Sequence, residues 1–117
     1  MRLHLVLVLC IVCALALGGA CLSKDQEESV VSLSNQIAVV KTGTIKETRL
    51  LRLLAIALND RTAVEATLTD PDSASYKAGL ISLAQAIKIY AWIGRDDEVL
   101  MRSLQVVANR LRDILTK

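Results

Sequence analysis

Beyond residue 22 the apolar residues recur in steps of three and four, the spacing of helix faces. Val30, Leu33, Ile37 and Val40 make the first such face. Ser23-Lys-Asp-Gln26 ahead of it has the spacing of a capping box, and Asp25, Glu27 and Glu28 sit where a helix dipole favours negative charge. Thr42-Gly43 closes the segment. A second capping-box match, Thr44-Ile-Lys-Glu47, opens Leu50 to Leu58, which reads LLRLLAIAL. That run is apolar around most of its circumference, leaving Thr48, Arg52, Ala55 and Asn59 as one narrow polar stripe. A helix wetted on so little of its surface is expected at the centre of the fold. Asn59-Asp60-Arg61 interrupts the pattern. Thr62 to Glu65 then caps a short helix to Leu68, or the second helix runs on; the pattern fits both.

Asp70-Pro71 is a restart signal, an N-cap aspartate before proline at the first helical position. The helix it opens carries Tyr76, Leu80, Leu83, Ile87 and Tyr90 in alternating steps of four and three. Gly94 suits its end, and Asp96-Asp97-Glu98 supplies a negative start to a last helix carrying Leu100, Leu104, Val107, Leu111 and Ile114. Pairing these two rows in opposite directions gives residue numbers that sum to 190 or 191 at every step. An antiparallel hairpin over about 71–93 and 97–116 requires such a constant. The fold class expected is all-α, a small bundle of four to five helices ending in this hairpin.

The amino terminus follows a different pattern. Arg2 precedes thirteen uncharged residues, Leu5 to Leu17, and then the small residues Gly18-Gly19-Ala20 lead to Cys21. This has the parts of a signal peptide. Leu17-Gly18-Gly19-Ala20-Cys21 resembles the lipobox of bacterial lipoproteins, with Gly18 where that motif usually holds leucine. The resemblance implies lipidation of Cys21, and Leu22 after it implies sorting to the outer membrane, facing the periplasm. Two other readings stand beside it. An ordinary signal peptidase cutting after Ala20 would release a secreted protein. A retained Leu3 to Leu22 would be a stretch of about twenty residues able to span a bilayer. The expected division is a leader over 1–20 and one helical domain over 21–117.

Composition narrows the chemistry. All 12 acidic residues and 13 of the 14 lysines and arginines lie beyond residue 20, so the body carries a net charge of +1. That argues against nucleic acid as the main partner. The single histidine, His4, and two of the three cysteines, Cys10 and Cys13, belong to the leader. The body therefore has no histidine, and no cysteine except Cys21, which excludes Ser-His-Asp and Cys-His catalysis and thiolate or imidazole zinc sites. A C-x-x-C within an apolar leader lacks the polar setting of a redox pair. No Gly-rich phosphate loop is present. Ser73 and Lys77 stand four apart without the Ser-x-x-Lys spacing. Asp70, Asp72, Asp96, Asp97 and Glu98 fall at helix starts, where their charge is already explained. Neither enzyme activity nor a cofactor or metal is expected.

Binding residues remain. Lys41, Lys46, Arg49 and Arg52 set four positive charges against Glu47 and are candidates for contact with lipid headgroups or an acidic partner. Trp92 lies two residues beyond the hairpin seam and so points away from it, as an interaction anchor or as a lid over the hairpin's open end. Gly79, inside a helix, costs roughly 1 kcal/mol against alanine unless a neighbouring backbone or a partner comes close. The expectation is an exported, lipid-anchored binding module, acting as adaptor, chaperone or inhibitor for another envelope protein. A structural helical oligomer and a secreted carrier of an apolar ligand are the alternatives.

Overall fold

The computed structural model describes residues 22–117; the leader and Cys21 lie outside the described residues. Five helices follow in order: α1 Lys24–Val39, α2 Ile45–Ala57, α3 Arg61–Ala66, α4 Ala74–Ile93 and α5 Glu98–Leu115. Among the described residues there is no strand, and no helix is long and apolar enough to cross a membrane. The chain is an all-helical bundle.

The helix starts follow local chemistry. Ser23 and Gln26 form the expected capping box, with Ser23 Oγ accepting from Gln26 N–H and the Gln26 side chain accepting the Ser23 N–H. Thr44 caps α2, but Glu47 reaches one residue further back than a capping box requires, to the Gly43 N–H at 2.8 Å. Asp60 caps α3, so residues 44–68 are two helices, the second starting before Thr62. Asn59 makes the break with a φ of 58°, the left-handed region that asparagine tolerates. Asp70 and Pro71 do not start α4. Asp70 instead accepts the Asp72 N–H in a tight turn, and Ser73 is the cap, its hydroxyl accepting the Tyr76 N–H. Asp97 caps α5.

Each helix packs on the next, and α5 returns to α1, so the five form a closed ring. α5 runs antiparallel to α4 and parallel to α1. Val99 lies near Val31, and eleven residues on, Arg110 hydrogen-bonds the Val40 carbonyl. The expected hairpin is present: every seam residue from Tyr76 to Leu111 is buried in one core cluster, with Ile114 packed against it. Gly79 meets the close approach it called for. A Cβ there would fall 2.1 Å from the Ala66 Cβ, which puts α3 hard against α4.

The position of α2 departs from expectation. Ala55, assigned to the polar stripe, is fully buried, while Leu53 and Ile56 on the apolar side are 42% and 55% exposed. In a ring each helix keeps an outward face. α2 turns inward the side that can be satisfied there: Leu51, Leu54 and Ala55 in the core, and Arg52 at the end of α3, donating to Thr67 Oγ1 and to the Thr67 carbonyl at 3.0 Å. A guanidinium at a helix C-terminus is favourably placed. α1 shifts in the same way. Ser34 occupies the core, its hydroxyl bonded to the Val30 carbonyl at 2.6 Å, and Leu33 moves to the rim.

Candidate functional site

Two of the outward faces carry exposed apolar side chains at helical spacing. The first belongs to α4, which has no acidic residue and only Lys77 and Lys88 as charges. Its seam faces α5 and its small residues face α3. Ile81, Gln85, Ile89 and Trp92 are left in a row toward solvent, with steps of four, four and three. Trp92 ends the row at 67% exposure. The Arg95 guanidinium stacks 4.5 Å from its ring centroid and donates to the Trp92 carbonyl. That contact holds the indole in place while leaving one face to solvent. Trp92 is therefore exposed and does not close the hairpin end.

The second face is a furrow between α1 and α2, which run antiparallel and are joined at one end by Gln26 Nε2 donating to the Ala57 carbonyl. Leu33, Leu53, Ile56 and Ala57 line one half of it, under Asp25 and Glu28. Val39, Val40, Leu50 and Leu53 line the other half, under Lys46 and Arg49. Leu53 is common to both. The furrow is thus apolar along its floor, acidic at one end and basic at the other.

The four basic candidates of the second helix do not act together. Lys46 and Arg49 stand on the furrow rim, Lys41 is exposed in the preceding loop, and Arg52 is turned inward onto Thr67. Glu47, the acid among them, is 3% exposed and pairs with Arg110 Nε at 2.7 Å, a joint that also carries the Val40 carbonyl on Arg110 Nη2. It ties the ends of α1 and α2 to α5. Nearby, burial pushes the Tyr76 phenol above its usual value; a hydrogen bond with Thr48 works against this, and the Glu47 carboxylate adds to it. Ser73 and Asp97 serve as helix caps, and Asp70 as a turn acceptor.

The furrow was not read from sequence, although Ile45, Arg49, Leu53 and Ile56 carry a helical spacing of their own. The excess of apolar residues in α2 hid which side they would face. The Glu47–Arg110 joint spans 63 positions and leaves no local signal. No protein-family model, no curated protein and no solved structure matches the chain.

Proposed function

We propose that this protein is an exported, non-catalytic binding module, held at the bacterial envelope by lipid on Cys21, that presents the outer face of α4 to another envelope protein. The observation carrying this reading is the row Ile81, Ile89 and Trp92 on a helix whose charges are all positive. Trp anchors beside cations are typical of binding hot spots. The partner this face suits is an apolar helical surface rimmed by carboxylates, which would meet Lys77, Lys88 and Arg95. The core favours a macromolecular partner over an enclosed apolar ligand. Leu51, Leu54, Leu80, Leu83 and Leu104 are fully buried together, and the hollows found along α1 are open furrows. Placement at the outer membrane, facing the periplasm, rests on the leader.

A photocrosslinking residue at Ile89 in the native envelope tests the binding face. A single crosslinked product that disappears with Trp92→Ala and weakens as salt rises supports it. No product at Ile89 while one forms elsewhere on the surface rejects it. Anchoring is tested separately by intact mass and membrane partitioning beside Cys21→Ser: a native product without acyl mass rejects lipidation.

A further inference from the structure

We propose that the furrow between α1 and α2 is the seat of a second copy of this chain, paired about a two-fold axis passing close to Leu53. The ground is the change of sign along the furrow. Asp25 and Glu28 stand over one end, Lys46 and Arg49 over the other, and Leu53 lies between them. A two-fold axis perpendicular to the furrow reverses its direction. It therefore sets the carboxylates of each copy against the cations of the other, at both ends at once. A furrow of one sign would repel its own copy; this one is complementary to itself and closes as a dimer.

The middle supplies the apolar contact. Leu53 and Ile56, half open to water in the isolated chain, meet the same residues of the second copy, and the two α1–α2 pairs make a four-helix layer. Among the described residues nothing competes for this face. Glu47 of α2 is already committed to Arg110, and Arg52 to Thr67. In the ring order α4 lies across from the α1–α2 edge, so dimerisation leaves both α4 rows facing outward, in opposite directions. The inference stands independently of the α4 reading.

Sedimentation velocity on the protein with its native amino terminus, in one detergent, tests it. The wild-type chain is expected to be a dimer. Lys46→Glu with Arg49→Glu makes both ends acidic and should weaken pairing by at least about tenfold, a difference of 1.4 kcal/mol. Asp25→Lys with Glu28→Lys makes both ends basic and should do the same. An equimolar mixture of the two should pair as a heterodimer, and all four changes in one chain should restore self-pairing. Helical content by circular dichroism confirms that each variant folds. Ile89→Asp, on α4, should leave the dimer intact. A monomeric wild-type chain overturns the proposal. So does a dimer indifferent to reversal at either end, or folded charge variants that do not pair when mixed.

Discussion

The contact between α3 and α4 and the contact between α1 and α2 are built from opposite materials. At the first, Gly79 faces Ala63 and Ala66, and a single added methyl would collide. Backbones come close, and nothing is left between them. At the second, the rim residues are serines and long aliphatic side chains, with Leu33, Leu53 and Ile56 only partly covered. Large side chains on facing helices hold the axes apart, and without a third layer above them they leave a furrow. Small residues seal an interface inside the chain, whereas large residues with no partner leave one available outside it.

The sharpest way to break this contrast is at the buried joint that locks one end of α1 and α2. Glu47→Ala leaves Arg110 without its carboxylate and the Gly43 N–H without its acceptor. A loss of about 3 kcal/mol is expected, because the two partners of the buried carboxylate, a half-buried guanidinium and a backbone N–H, are then both uncompensated. Urea denaturation gives the value, and a loss below about 1 kcal/mol would mean that the joint is not structural. Next, Gly79→Ala should cost about 2 kcal/mol. Overpacking outweighs the gain in helix propensity, although alanine would stabilise an open helix face. A stabilised variant would show that α3 sits away from α4.

A smaller effect is expected from Tyr76. Its folded value lies above the ordinary 10.0, so the unfolded chain gives up that proton first as pH rises. The corresponding stability is fully present below pH 10.0 and is lost as pH climbs through the folded-state value. Tyr76→Phe should therefore flatten the alkaline side of a stability profile measured by thermal melting. The smallest effect belongs to the open side. Ile56→Ser, in the Lys46→Glu, Arg49→Glu background where pairing does not contribute, should change stability by no more than about 0.5 kcal/mol. A larger loss would place Ile56 in the core and remove the furrow.

Much of this architecture could be read along the chain. The α4–α5 hairpin was legible because both rows keep one spacing and the turn at Gly94 to Asp97 fixes their register. The need for a close neighbour at Gly79 was legible because glycine within a helix is costly without one. The start of α4 was not. Asp70-Pro71 carries the stronger local signal, yet Ser73 three residues on makes the cap, and Asp70 spends its carboxylate on a turn. The candidate faces divide likewise. Trp92 stood out by falling off the seam, whereas Lys46 and Arg49 could not be told from Arg52 until their neighbours were known.

By itself, then, the sequence determined the helical class, the pairing of the last two helices and the absence of imidazole and thiol chemistry from the described body, because periodicity and residue type act over a few positions. Tertiary structure alone decided which side of α2 faces water, that Glu47 meets Arg110, and that acid and base stand at opposite ends of one furrow. An apolar helix can be buried on any side. Only the closing of the ring, with Thr67 ready for Arg52 and α5 ready for Glu47, selects one and leaves Leu53 and Ile56 outside.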